Sequence, residues 1–494
     1  MKQLVLATLL VALTTQAAES RVQKGKIAMH MHKPVDLEAA KAAAQKRQEA
    51  WKLAGKALEL VAVEPFGAGL VEHWQLANGM QVLLAPDEQV PVVAVHSWLN
   101  VGSADELNGK SGLAHLFEHL MFKSTQTRPA GTLDRVLEQM GGSANAATSL
   151  DFTYYHATVP TTHLGTVLEL EADRLVHLDL SAAAFRSELS VVKNERREVV
   201  DNDPDGQMDE LLGTLAWGGH PYGHPVVGTE RDLGTLAVAD ARQFYQTHYA
   251  ASRLVLVLAG GFEPEQALTQ ILTYYAELPG QPRPQKPVVP APTAGAQQSL
   301  GLDASTERLA VAWRIPPGDH ADIAALDVLA HVLAGSDSTR LARALVFDQP
   351  MASHVSADIS GARLGGLLQV HVSLLPGELA KTALQRVDLV LAGVPGNQPV
   401  LATELAAAKN HLKMEMFAAL ASVDGRAEQL GQSLVSFGSL KPVLNAQMAI
   451  DAVTLADVQR VAKLYLRADR RVVILGEAPP PKVAGKSRKL RTRG

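Results

Sequence analysis

The sequence predicts an α+β chain built from two related domains, and three observations carry that expectation. Short β-like runs and helical patterns intermix from about residue 70 to 278 and again from about 300 to 476, with no strict βαβ alternation. A proline run, PGQPRPQKPVVPAP, separates the two stretches and cannot form a packed element. The segments ADARQFYQTHYAASRLVLVLAG (239–260) and ADVQRVAKLYLRADRRVVILG (456–476) share one order: helix, Tyr, Arg, apolar strand, Gly. A single-residue gap aligns them, which reads as an internal duplication.

Taken in chain order, residues 1–17 join one lysine, an apolar run and small residues, the layout of a secretory signal peptide. The run is too short to span a bilayer, and no later segment reaches the roughly 18 apolar residues that would. The expected location is therefore periplasmic or secreted, and soluble. Residues 18–67 form an N-terminal extension in which 35–60, rich in Ala, Lys, Glu and Leu, reads as one amphipathic helix. The first domain spans 68–278. It opens with HWQLANGMQVLLAP, where Asn78-Gly79 is a hairpin signal, and continues with the apolar strand VPVVAVHSWLNV. A linker is expected over 279–299 and a second domain over 300–477. The tail, 478–494, is basic and proline-rich and reads as disordered.

Composition removes some classes of function. The 494 residues carry 46 Lys and Arg against 51 Asp and Glu, a net charge of −5, so no nucleic-acid partner is expected. The absence of cysteine excludes disulfides and thiolate metal ligands.

GKSGLAHLFEHLMFKST (109–125) supports two readings. Ala104, four residues, then Gly109-Lys110-Ser111 is a loose phosphate-loop pattern. However, no glycine precedes Gly109 in that loop. Asp105 and Glu106 also stand where phosphate oxygens need amides and positive potential. The other reading is His-x-x-Glu-His. His115 and His119 are four apart, so their imidazoles leave one helix face a turn apart, a spacing that suits two ligands of one tetrahedral zinc. Glu118 lies on the adjoining edge, where it reaches a water without being a ligand. The structural alternative is a core stripe of Leu113, Leu116, Leu120 and Met121 with two histidines beside it.

A catalytic zinc needs a third protein ligand. FRSELSVVKNERREVVDND offers Glu188 and Glu195, seven apart and therefore on one helix face. HLFEH followed 76 residues later by Glu195 resembles the inverted-zincin metallopeptidases of the pitrilysin, or M16, family. GSADE before the helix, GGSANAATSLDFTYYHATVP (141–160), DNDPDGQ (201–207) and HPYGHPVVG (220–228) extend the likeness. The resemblance implies two homologous domains, each a mixed, mostly antiparallel sheet packed with helices, together forming half of a clamshell. It also implies one Zn2+ per chain held by His115, His119 and Glu195, with Glu118 as general base and Glu188 as a supporting carboxylate. Asn145 and Ala146 would lie on an edge strand that pairs with an extended peptide.

The chain departs from the family in its second half. In RLARALVFDQPMASHVSA (340–357), Val346 and Ser353 stand where self-sufficient members carry an Arg and a Tyr that polarise the scissile carbonyl. Valine has no donor and serine is much shorter. Arg340 and Arg343 are expected to hold helix and interface contacts instead. The resemblance therefore implies a zinc-dependent endopeptidase acting on unfolded peptides. Its expected partner is a related M16-like chain that lacks the zinc motif but carries the Arg/Tyr pair, with a homodimer as the second assembly. The alternative function is a non-catalytic structural or assembly subunit of the same fold.

Overall fold

The computed structural model describes residues 36–55, 57–281 and 295–479. The signal-peptide expectation (1–17), the extension up to residue 35 and the basic tail from 480 lie outside the described residues. In the first half, α1 is Leu37–Leu53, and strands β1 (Leu58–Phe66), β2 (Gly69–Leu76), β3 (Gln81–Pro86) and β4 (Val92–Leu99) follow. Next come α2 (Leu113–Leu120), α3 (Thr132–Gln139), β5 (Ser143–Thr148) and β6 (Thr153–Pro160). The half ends with α4 (Leu164–His177), α5 (Ala182–Arg196), α6 (Pro204–Trp217), α7 (Glu230–Thr235), α8 (Val238–His248), β7 (Leu254–Gly260) and α9 (Pro264–Tyr275).

The second half repeats this plan. It holds β8 (Ala296–Gly301), β9 (Arg308–Ile315), α10 (Ile323–Ala334), β10 (Ala352–Ala362) and β11 (Gly365–Leu374). Helices α11 (Ala380–Gly393), α12 (Ala402–Ala419), α13 (Val423–Phe437) and α14 (Leu455–Tyr465) lead into β12 (Arg471–Glu477). Among the described residues the strands form a seven-stranded sheet, β1-β2-β3-β7-β4-β6-β5, and a five-stranded sheet, β10-β11-β9-β12-β8. Without β1 and β2 the two orders are the same. The closing strand of each half lies in its sheet between a parallel neighbour, β3 or β8, and an antiparallel one, β4 or β9. The repeated segments are α8 with β7 and α14 with β12.

Two boundaries differ from the sequence reading. The N-terminal helix stops at Leu53, and Leu58–Phe66 is a strand pairing antiparallel with β2. LELVAVEPF carries β-branched valines and an alternating burial that the lysine- and alanine-rich stretch before it lacks. The linker, expected to reach 299, gives way at Ala296 to β8, which pairs in parallel with β12. AQQSLG has no apolar pattern because backbone bonds to a buried neighbour, not side-chain burial, hold this edge strand in place. Residues 282–294 of that linker are outside the described set.

Each sheet buries both faces. Val93, Val95 and Tyr155 point into a core with Leu116, Phe117 and Leu120 of α2. On the other face, Ala94, Trp98, Val255 and Val257 meet Val423, Ala427, Leu430 and Leu434 of α13, a helix from the second half. Gly431 makes this possible, because a Cβ there would stand 2.1 Å from Trp98 Nε1. The exchange is reciprocal: Met208, Leu212, Ala216 and Trp217 of α6 pack on Ala310, Ala312, Val472 and Ile474 of the second sheet. From Leu37 on the chain is accordingly one compact unit.

Candidate metal centre

The helix that carries His-x-x-Glu-His is fixed at its start by a buried carboxylate. Glu106 accepts from the N–H of Gly112 at 3.0 Å and of Ala114 at 2.7 Å, satisfying two donors that a helix N-terminus leaves open. Burial pushes its carboxyl well above the ordinary range. Gly112 takes φ 94, and a Cβ there would lie 2.7 Å from Leu233 and 2.9 Å from the Val227 carbonyl, so HPYGHPVVG packs directly on this turn. The same contacts remove the phosphate-loop reading. The amides at the helix start are occupied, Lys110 pairs with Asp240 at 2.8 Å, and Ser111 donates to Asp232 at 2.6 Å.

α2 packs against α5. His115 Nε2 lies 3.5 Å from Glu195 Oε1, and His119 Nε2 lies 3.2 Å from Glu195 Oε2. The two imidazoles meet edge to face with centroids 4.9 Å apart. One ligand atom from each of the three residues lies within 4.8 Å of the others. Ligands about 2.0–2.1 Å from a tetrahedral zinc are separated by roughly 3.3 Å, so these atoms are spaced for one ion. Burial keeps His115 below the usual imidazole value. The hydrogen bond with Glu195 raises His119 and holds Glu195 down, so a proton here occupies the place a cation would take.

Glu118 stands apart from this trio. Its Oε2 accepts a 2.6 Å hydrogen bond from Thr148 Oγ1 at the end of β5. Thr148 was not singled out by sequence reading; its only signal is that it follows Asn145-Ala146 within the strand facing α2. Glu188 is buried two turns before Glu195 and pairs with Lys123 at 3.2 Å. It is not among the converging ligand atoms, but its charge helps raise His119.

Asn145 and Ala146 do lie on an edge strand, since β5 ends the sheet. They face opposite ways. Ala146 is paired with Tyr155 on the α2 side, and Asn145 with His156 on the other. Asn145 Oδ1 accepts from the Ala146 N–H at 2.9 Å.

The other quoted motifs brace the centre. Arg196, next to Glu195, donates to the Gly228 carbonyl at 2.8 Å and to Glu210 at 2.9 Å, tying α5 to HPYGHPVVG and α6. Asp203 of DNDPDGQ caps α6 by accepting from Gly206 N at 2.8 Å. Tyr222 donates to Asp151 at 2.7 Å and accepts from the Leu364 N–H at 2.9 Å, which joins the two halves. In the second half, Val346 packs on the core and Ser353 donates to the Ser373 carbonyl at 3.2 Å. Arg340 is bound to Glu404 at 2.7 Å.

Residues 81–230 match the family described as Insulinase (Peptidase family M16), and residues 235–410 match the Peptidase M16 inactive domain. A protein named as an uncharacterised zinc protease from Mycobacterium leprae is 27% identical over 405 residues, covering 81% of this chain and 90% of its own length. A probable mitochondrial-processing peptidase subunit beta from Arabidopsis thaliana is 26% identical, covering 82% of this chain and 77% of the relative. The crystal structure of a protease from Helicobacter pylori superposes with a TM-score of 0.78 at 26% identity, over 83% of this chain and all of that one. These relatives support a peptidase-type function. Among the described residues no helix is long and apolar enough to cross a membrane.

Proposed function

Since this chain belongs to the M16 peptidase family, we propose that it is a zinc-dependent endopeptidase acting on unfolded peptide segments, completed by a second, related chain. The observation that carries the reading is the convergence of His115, His119 and Glu195, with Glu118 beside them and held by Thr148 rather than by the trio. His115, His119 and Glu195 would hold the ion. When bound, zinc supplies Lewis-acid activation of water and of a peptide carbonyl.

The chain's own groups do the rest. Glu118 takes the proton of the attacking water and returns it to the leaving amine. Thr148 donates to one carboxylate oxygen of Glu118 and leaves the other for the water. Glu188 adds negative charge behind His119 and balances that of Lys123. The outer edge of β5 takes an extended peptide by backbone pairing. Asn145 occupies the Ala146 N–H, so it must swing aside for a substrate carbonyl to bind there.

The partner requirement rests on the second half, where neither Val346 nor Ser353 supplies a donor to a peptide carbonyl. Such preorganised donors are worth about 10² to 10³ in rate. A relative named as a subunit is in keeping with a paired assembly; a homodimer using other donors is the second possibility. With the signal-like N-terminus, the proposed location is the periplasm or the medium.

The test is cleavage of a mixture of unstructured peptides, read by mass spectrometry, for the chain alone, for Glu118→Gln, and for the chain mixed with a related chain that carries the Arg/Tyr pair. The expected result is slow cleavage alone, about a hundredfold more in the mixture, and none above background for Glu118→Gln in either. Equal rates alone and mixed would remove the partner. Unchanged cleavage by Glu118→Gln would remove the mechanism.

A further inference from the structure

A second set of ligand-type side chains converges on the opposite face of the same sheet. His96 on β4 and His156 on β6 are directly paired across the strands. Both point toward α13, the helix contributed by the second half, and meet Asp424 in its first turn. His96 Nε2 lies 2.9 Å and His156 Nδ1 3.0 Å from the same oxygen, Asp424 Oδ1. The imidazole centroids are 5.1 Å apart. Besides the centre at His115, this is the one other group among the described residues whose ligand atoms gather so closely.

His96 is completely buried, and its second nitrogen, Nδ1, has no hydrogen-bond partner. Glu428 lies one helical turn beyond Asp424, and its charge reaches His96. Trp98 and Tyr154 stack at 4.1 Å, with Phe152 against them, and give the cluster an apolar wall. The Asp424 carboxylate faces both imidazoles across the seam between the halves, and the nearby Arg426 is turned away to Asp87 at 2.9 Å.

We propose that His96, His156 and Asp424 form a second divalent-metal site that fastens α13 to the sheet carrying the proposed peptidase centre. Two imidazoles and a carboxylate suit zinc, and also manganese, iron or cobalt. The nitrogen-to-oxygen separations are a few tenths of an ångström inside the roughly 3.3 Å edge of a zinc tetrahedron. A small shift of the partly exposed His156 and of the first turn of α13 opens them. On binding, each ligating nitrogen would give up its hydrogen bond to Asp424 while the imidazole keeps its proton on the other ring nitrogen, which for His96 is the unpartnered Nδ1. This site lies on the opposite face of the sheet from α2 and is independent of the catalytic reading. It has a practical consequence: a chelator would strip both sites, so loss of cleavage with chelator would not by itself identify the catalytic ion.

The test is metal content. The full chain is stripped, reloaded with Zn2+ or Co2+, passed through gel filtration and measured by inductively coupled plasma mass spectrometry. The wild type should carry two ions per chain, Asp424→Asn and His156→Gln one each, Glu195→Gln one, and Asp424→Asn combined with Glu195→Gln none. In the Glu195→Gln background, added Zn2+ should raise the melting temperature, and His156→Gln should abolish that rise. Circular dichroism establishes that each variant is folded, and His156→Gln serves if Asp424→Asn is not. One ion per chain that vanishes with Glu195→Gln and is untouched by Asp424→Asn or His156→Gln would overturn the proposal, leaving a hydrogen-bonded latch. One ion that vanishes only with Asp424→Asn or His156→Gln would support this site and sink the peptidase centre instead.

Discussion

The two halves share a strand order and differ in what their facing helices carry. In the first half α2 and α5 bring His115, His119 and Glu195 together at 3.2 to 3.5 Å. In the second half α10 and α12 also pack on each other and also present ligand-type residues. His331 stacks on His411 with ring centroids 4.3 Å apart, and His411 pairs with Glu415 at 3.1 Å. Among the described residues these do not form a converging set. The lesson is one of tolerance. A sheet-and-helix layer needs only apolar residues of about the right size on the right face, whereas an ion needs three atoms within a few ångströms of one point. A repeated layer can therefore be kept without the converging ligands.

The largest effect should come from removing the proposed base, on one side of this comparison only. Glu118→Gln should lower kcat/KM by about 10² to 10⁴ while the metal stays bound. Glu415→Gln, the exposed carboxylate of the second half, should leave cleavage unchanged. Equal losses in both variants would mean that the halves are not chemically distinct. Next in size is the helix exchange. Leu430→Ala on α13 and Leu212→Ala on α6 each remove a fully buried side chain from the opposite half's sheet. Each should cost about 2–5 kcal/mol. Because each helix belongs to one half and packs on the other, calorimetry should show a single transition moving to lower temperature. Two separating transitions would show that the halves are held together by something else.

A smaller effect is expected at Thr148. Its hydroxyl orients Glu118 at 2.6 Å, and a hydrogen bond to a charged group is worth about 1.5–3 kcal/mol. Thr148→Val should therefore reduce kcat by about ten- to a hundredfold, with little change in KM and with Thr148→Ser restoring most of it. A purely structural role would lower the melting temperature of the valine variant and spare its kcat.

Much of this was open to inspection in the sequence. The hairpin at Asn78-Gly79, the buried strand at Val92–Leu99 and the repeat of α8-β7 in α14-β12 are local patterns, and the structure forms each as an element of that kind. The histidine pair is also local, because four residues on a helix fix its geometry. What stayed hidden was non-local. The apolar faces of α6 and α13 give no sign that each covers the other half's sheet. β8 is held by backbone pairing and leaves no apolar trace in AQQSLG. His96, His156 and Asp424 lie on three elements, two of them paired strands and the third more than 250 residues away, so no spacing rule connects them.

The smallest effect probes what the second half keeps at the helix facing α12. Asp327 on α10 is poorly solvated, and burial together with the Glu415 charge pushes its carboxyl up to about 7. The folded state therefore holds this proton more tightly than the unfolded chain, whose aspartates titrate near 3.9. The cost of ionising it is absent below about pH 4, grows as pH rises, and is complete above about pH 7. Asp327→Asn removes that cost without a change of shape. The variant should match the wild type in unfolding free energy near pH 4 and exceed it at pH 8, by an amount on the order of a few kcal/mol. The gain should shrink in a Glu415→Gln background, where one of the two causes is gone. A constant difference at both pH values would mean that Asp327 is ionised throughout. The second half would then hold a charge pair of its own rather than a buried neutral acid.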